Sequence, residues 1–155
     1  MNKNELKILL MSDEVVGRII RDVAEIEWEL DLMLTRYFTA QERFNEFSDL
    51  ILARFSFQQK IDLLNKMSFP ARMKSQPNAV KSLNKFKKLR NILAHSPYIS
   101  DEELNTIYTD NEIMSIISSY PDSYLKELRA NKNRINRLIH SNIVRKNKGK
   151  AQPLK

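Results

Sequence analysis

The chain has 155 residues, of which 42% are hydrophobic and 29% charged, as in an ordinary globular domain rather than a disordered segment. It contains no cysteine, which excludes disulfide bonds, zinc sites built on thiolates and cysteine nucleophiles. Two glycines and five prolines leave room for long helices, so we predict an all-α fold. No apolar run near the N-terminus is long enough for a signal peptide or a membrane span, and we expect a cytoplasmic protein without membrane contact.

The net charge of +7 is concentrated near the C-terminus. Residues 126–155 hold ten Lys or Arg and one acid, whereas the first 125 residues hold sixteen basic and eighteen acidic groups. This asymmetry favours a polyanionic partner, with nucleic acid ahead of a membrane surface. The alternative is a solvated helix followed by a disordered tail. We predict one helical domain over residues 1–145 and a basic, flexible tail over residues 146–155.

The first long helix is predicted to begin at residues 12–14, where Ser-Asp-Glu supplies a cap and two acids at the positive helix end. It should run to about Phe38, because apolar residues recur at helical spacing up to that point. These residues are Val16, Ile19, Ile20, Val23, Ile26, Leu30, Met33, Leu34 and Tyr37. Residues 39–42 (Thr-Ala-Gln-Glu) match a capping box, which predicts the start of a second helix.

Residues 56–59 (Ser-Phe-Gln-Gln) match a second capping box and predict a third helix that ends before Pro70. We expect a fourth helix from about Pro77 or Asn78 to His95 or Ser96, because the next residue is a proline and disfavours the α conformation before it.

Residues 98–112 are ambiguous. Residues 100–103 (Ser-Asp-Glu-Glu) favour the cap of a short helix, whereas residues 106–109 (Thr-Ile-Tyr-Thr) are equally typical of a strand. Residues 113–117 predict a helix that ends before Pro121, and a last helix should follow from about that proline. The middle of this last helix, residues 129–134, is almost wholly polar, which predicts poor packing there or a charged partner.

Two charged residues fall on apolar helix faces. Glu27 projects into the apolar stripe of the first long helix, and Arg90 lies on the edge of the stripe of the fourth. A buried carboxylate or guanidinium costs several kcal/mol unless it is paired, so we predict a partnership between the two. The pair would either fix the register of the two helices or aim the guanidinium of Arg90 at a ligand phosphate.

Residues 90–95 read Arg-Asn-Ile-Leu-Ala-His and are the most informative segment of the chain. Asn91 and His95 are four residues apart, so they share the polar face of the fourth helix near the end that Pro97 sets. A histidine there is often only a favourable charge placement against the helix dipole, but the convergence with Arg90 favours a functional site. His140 lacks such neighbours and is expected at the surface. Two histidines without clustered carboxylates predict no metal site, and no cofactor is expected.

This segment resembles the Arg-x(4–6)-His signature of the HEPN superfamily, in which a polar residue often follows the arginine. Residues 26–31 (Ile-Glu-Trp-Glu-Leu-Asp) are similar to the acidic and apolar first helix of that family, and residues 57–64 (Phe-Gln-Gln-Lys-Ile-Asp-Leu-Leu) to the helix before the signature. The resemblance covers residues 12–98 and extends further only as helical content. It implies a bundle of four to five helices in an up-and-down arrangement. It also implies a homodimer in which Arg90 and His95 of both protomers line one cleft.

Resemblance to HEPN proteins further implies a metal-independent endoribonuclease, often a toxin or an antiviral defence effector. Arg90, Asn91 and His95 would be the catalytic residues and Glu27 a supporting one. RNA carries its own nucleophile in the 2′-hydroxyl, so proton transfer by a histidine and charge stabilisation by an arginine suffice for cleavage. Several HEPN toxins are neutralised by a cognate antitoxin, which in some systems is a nucleotidyltransferase; in that subgroup it modifies a tyrosine two residues after the histidine. A proline holds that position here, so Tyr98 is the candidate modification site.

Two other functions stay open. A HEPN-like domain that does not cleave RNA would be a nucleotide-binding or protein-interaction module. A DNA-binding regulator would rest on the C-terminal charge alone, since no helix-turn-helix spacing supports it. If RNA is the partner, we assign its binding to basic residues of the fourth and last helices. They are Lys87, Lys88, Arg129, Lys132, Arg134 and Arg137.

Overall fold

The computed structural model describes residues 1–70, 73–95 and 98–141, without the side chain of His95. Eight α-helices and no strand occur among these residues, which confirms the all-α class. The helices are α1 (Lys3–Leu10), α2 (Asp13–Phe38), α3 (Phe44–Leu50), α4 (Phe57–Lys66), α5 (Ser75–His95), α6 (Asp101–Thr109), α7 (Asn111–Ile117) and α8 (Asp122–Ile139). Two short 3₁₀ helices, Gln41–Arg43 and Leu52–Arg54, flank α3. No helix in this described part has the length and apolar character that a membrane crossing requires.

The predicted count of four to five helices is wrong, because side-chain caps create additional short helices. The side chain of Asn2 accepts the backbone N–H of Glu5, whose carboxylate accepts the N–H of Asn2, and this box begins α1 ahead of the first predicted helix. Ser100 and Glu103 form the same reciprocal pair at the start of α6, so residues 106–109 are helical and not a strand. The helix predicted over residues 113–117 is confirmed as α7, and the carboxylate of Asp110 caps it by accepting two backbone N–H groups.

Most of the predicted helix ends are confirmed, since they depend on local chemistry. Ser56 and Gln59 form the predicted capping box of α4. Thr39 does not cap a helix: its hydroxyl donates to the carbonyl of Ala40 at 3.2 Å, and a 3₁₀ helix intervenes before α3. α5 begins at Ser75, slightly earlier than predicted, and ends at the predicted place.

Contacts divide the described chain into two units, and the first comprises residues 1–25 and 84–130. Tyr124 is fully buried in this unit, its ring lying edge-on to that of Phe86 with the centroids 5.8 Å apart. Its hydroxyl donates to the carboxylate of Asp22 at 3.2 Å. Burial, followed by the charge of Asp22, raises the pKa of Tyr124 far above its ordinary value. The tyrosine therefore joins α2, α5 and α8 within this unit as a neutral hydrogen-bond donor.

The second unit comprises residues 26–83 and 131–141 of the described chain. The side-chain amide of Gln76 donates to the carbonyls of Leu64 at 2.7 Å and Met67 at 2.6 Å, so the first turn of α5 satisfies the C-terminal end of α4. Asn131, in the polar middle of α8, is completely buried, and its amide atoms have no hydrogen-bond partner among the described residues. The predicted single domain over residues 1–145 stays a prediction, and the predicted tail over residues 146–155 lies outside the described residues.

Candidate functional site

The Arg-Asn-Ile-Leu-Ala-His segment occupies the last turns of α5, as predicted. Arg90 and Asn91 are half-buried, and a guanidinium N–H of Arg90 donates to the side-chain oxygen of Asn91 at 3.3 Å. His95 is the final residue of the helix, while its side chain lies outside the described part of the chain. The two neighbouring side chains of the segment are therefore in contact and reach the surface of the first unit.

A cavity of about 750 Å³ borders the polar face of α5 in this same unit. Asn91, Lys87 and Lys88 line it, so three of the predicted site residues share one space. The ammonium group of Lys88 forms an ion pair with the carboxylate of Asp110, which also lines the cavity. This hydrogen bond raises the pKa of Lys88 above its ordinary value. Although burial acts to raise it, the pKa of Asp110 is lowered by the bonds from Lys88 and from the backbone N–H of Ile113.

Glu27 is paired in the second unit with a lysine of α4. The ammonium of Lys60 lies 2.8 Å from a carboxylate oxygen of Glu27 and 2.8 Å from one of Asp31. The lysine side chain is only 6% exposed, against 21% and 23% for the two carboxylates. The expectation that Glu27 needs a cationic partner is therefore met by Lys60, while its predicted partnership with Arg90 stays a prediction.

The cluster of Lys60 with its two acids (the α2–α4 charge cluster) carries one more negative than positive charge. Burial alone would lower the pKa of Lys60, but its hydrogen bonds to Asp31 and Glu27 raise it above the ordinary value. Burial raises the pKa of Asp31, and the bond from Lys60 offsets only part of this shift. One oxygen of Asp31, Oδ1, is buried without a hydrogen-bond partner among the described residues. The cluster thus depends strongly on its single cation.

The basic residues predicted on α8 lie in different surroundings. Arg129 is exposed, and Lys132 is half-buried with its ammonium 3.9 Å from the carboxylate of Glu29. Arg134 and Arg137 line a second cavity, of about 460 Å³, in the second unit. The other described residues that line it are Met73, Lys74, Ser75 and Asn78, and none of these is acidic. Two of the predicted RNA-binding arginines are thus brought together in a cationic cavity.

The remaining predicted positions lie at the surface. Tyr98 is 82% exposed, and its modification stays a prediction. His140 is exposed, as expected. Among the described side chains, no group of three or more His, Cys, Asp or Glu is placed to hold a metal ion.

Two features of these sites were missing from the sequence-based prediction. Lys60 lies three residues after Phe57 and four before Leu64, both buried on α4, and this spacing places it on the apolar stripe. That pattern would have identified Lys60 as a buried cation. Lys74 was missed in the cationic cavity because α5 begins at Ser75, earlier than the predicted start.

No model of a known protein family, no curated protein and no solved structure matches the chain.

Proposed function

We propose that the chain is a metal-independent endoribonuclease of the HEPN type that cleaves RNA by attack of the 2′-hydroxyl. The observation that supports this most is the placement of Arg90, Asn91 and His95 in the last turns of α5, beside a cavity that Asn91 lines. The hydrogen bond from Arg90 to Asn91 at the surface adds support, because it holds two of the three motif side chains together.

The proposed chemistry follows from the residue types. His95 takes the proton from the 2′-hydroxyl as the new O2′–P bond forms, and an acid gives a proton to the 5′-oxygen as the P–O5′ bond breaks. The products are a 2′,3′-cyclic phosphate and a 5′-hydroxyl. Arg90 directs two N–H donors at the phosphorane oxygens, where negative charge develops. Asn91 positions Arg90 through their hydrogen bond. The motif offers one histidine per chain, which fits a homodimer in which His95 of the second copy supplies the acid.

Cleavage of a labelled RNA of mixed sequence by variants tests these roles. We expect His95→Ala to lower the rate about 100-fold or more, the usual effect of losing a general acid or base. Arg90→Lys keeps the positive charge but loses the planar, two-donor guanidinium, so the cleavage rate of this variant should be far below that of the wild type. His140→Ala, an exposed histidine outside the motif, is the matched control and should cleave normally. Equal rates in the His95 and His140 variants, with helical content preserved, would refute the assignment.

RNA binding is proposed for the cationic cavity of Arg134, Arg137 and Lys74. Replacing both arginines with glutamine should weaken RNA binding and reduce the slope of log affinity against log salt by about 1.4, if each contacts one phosphate of a single strand. The exposed Lys66 of α4 is the control, and Lys66→Gln should leave the slope unchanged. An unchanged slope in the double variant would remove this cavity from the RNA-binding surface. The proposed biological role, a toxin or antiviral effector held by a cognate partner, follows from the same resemblance.

A further inference from the structure

The cavity beside Asn91 has an apolar floor and polar walls. Ile92 of α5, Ile99 before α6 and Ile107 of α6 supply apolar surface, and its volume of about 750 Å³ lies within the range of small-molecule sites. The walls come from the polar face of α5 and from the acidic starts of α6 and α7. All of these residues belong to the first unit. The space therefore suits a ligand that has both apolar surface and polar edges.

Four acids line the cavity, and the carboxylates of two of them already bind other groups of the protein. Asp110 pairs with Lys88 and caps α7, and Glu103 closes the capping box of α6. The carboxylates of Glu102 and Glu112 make no hydrogen bond or ion pair that fixes them to another described side chain. An ionised carboxylate only accepts hydrogen bonds, so a ligand must bring donors to this wall. A phosphate would be repelled there.

We propose that this cavity binds a guanine base of the RNA substrate. Guanine presents two N–H donors side by side on its Watson–Crick edge, which match the two oxygens of one carboxylate, while its faces can lie on the isoleucine floor. Adenine and cytosine each offer only one amino group at this edge, and uracil one imino N–H. The carboxylate wall of Glu102 and Glu112 thus selects guanine over the other three bases.

The position of Asn91 connects the guanine site to the motif. Its side chain lines the cavity and accepts a hydrogen bond from Arg90, so a base held in the cavity brings its own phosphate toward the arginine. Lys87 also lines the cavity and adds a positive charge to it. This inference rests on the proposed endoribonuclease function and adds a substrate preference to it: cleavage next to guanosine in unpaired RNA.

Binding of free nucleotides tests the site without any cleavage. The full chain is titrated with 5′-GMP, 5′-AMP, 5′-CMP and 5′-UMP, and binding is followed by NMR of the isoleucine methyl groups. We expect GMP to shift the signals of Ile92, Ile99 and Ile107 and to bind about ten-fold or more tightly than AMP. The double variant Glu102→Gln with Glu112→Gln should lose that preference.

The matched control is Glu46→Gln, a change at an exposed acid of α3 outside the cavity, and it should bind GMP like the wild type. Equal affinity for all four nucleotides, or GMP shifts that leave the isoleucines unmoved, would overturn the proposal. Tighter binding of acetyl-arginine amide than of GMP would also overturn it and identify a site for a basic peptide. RNA cleaved without GMP binding would remove only the guanine site, whereas GMP binding by a chain that leaves RNA intact would count against the endoribonuclease.

Discussion

Replacing Lys60 with methionine isolates the contribution of the α2–α4 charge cluster to stability. Methionine keeps the apolar stem of the lysine but removes its ammonium group, which lies 2.8 Å from each of two carboxylates. Removing one partner of a fully buried ion pair destabilises a protein by roughly 3–5 kcal/mol, because a charge stays buried and unpaired. The carboxylates of Glu27 and Asp31 are about one-fifth exposed, so we expect the lower limit, about 3 kcal/mol. For a chain of this size that corresponds to a fall in Tm of roughly 6–12 °C.

Thermal unfolding followed by circular dichroism measures this change. The control Lys66→Met removes an exposed lysine from the same helix and should change stability by less than about 0.5 kcal/mol. Without the cation, the pKa of Asp31 in the folded protein should rise further above its unfolded value. A carboxyl group whose pKa is raised by folding disfavours the folded state while it is ionised, and this penalty disappears below its unfolded pKa. The loss of unfolding free energy in the variant, relative to the wild type, should therefore shrink as the pH falls from about 7 to about 4. Equal Tm values for the two variants, or a deficit that grows in acid, would refute the reasoning.

Two further predictions concern caps and one ion pair. Ser56→Ala removes the cap of α4 and should lower the free energy of unfolding by about 1 kcal/mol, or Tm by roughly 2–4 °C. The control, Ser68→Ala at an exposed serine, should leave Tm nearly unchanged. Asp110→Asn keeps a capping side chain and removes the ion pair with Lys88, whose side chain is 47% exposed, so the loss near neutral pH should be only about 0.5 kcal/mol. Because the pKa of Asp110 is lowered by folding, this loss should shrink as the pH falls below the ordinary range of a carboxyl pKa, and a loss that persists in acid would contradict the assigned pair.

Helix ends were predictable where the signal is local. The capping box at Ser56 and the end of α5 ahead of the proline at position 97 need only neighbouring residues, and both predictions are confirmed. The short helices α1 and α6 were less predictable, because eight or nine residues show little periodicity and depend on capping and on their contacts for stability. In the structure Lys7 of α1 lies 3.0 Å from Asp101 of α6, a pairing across 94 positions that no local pattern indicates.

The candidate site was predictable in part for the same reason. The clustering of Arg90, Asn91 and the final histidine at the end of α5 could be predicted from spacing along one helix. The helical wheel also showed that Glu27 needs a cation, but it does not show which helix packs beside it, and Lys60 was therefore missed. The cavity beside Asn91 requires α6, which folds from the segment that the sequence left ambiguous, so its carboxylate lining could not be predicted.

The proposed ribonuclease activity is tested most directly by incubating the purified chain and its His95→Ala variant with a mixed RNA in EDTA and analysing the product ends. The proposal predicts 2′,3′-cyclic phosphate and 5′-hydroxyl ends from the wild type and intact RNA from the variant. Intact RNA in both samples, from protein with full helical content, would contradict it and favour a noncatalytic interaction module.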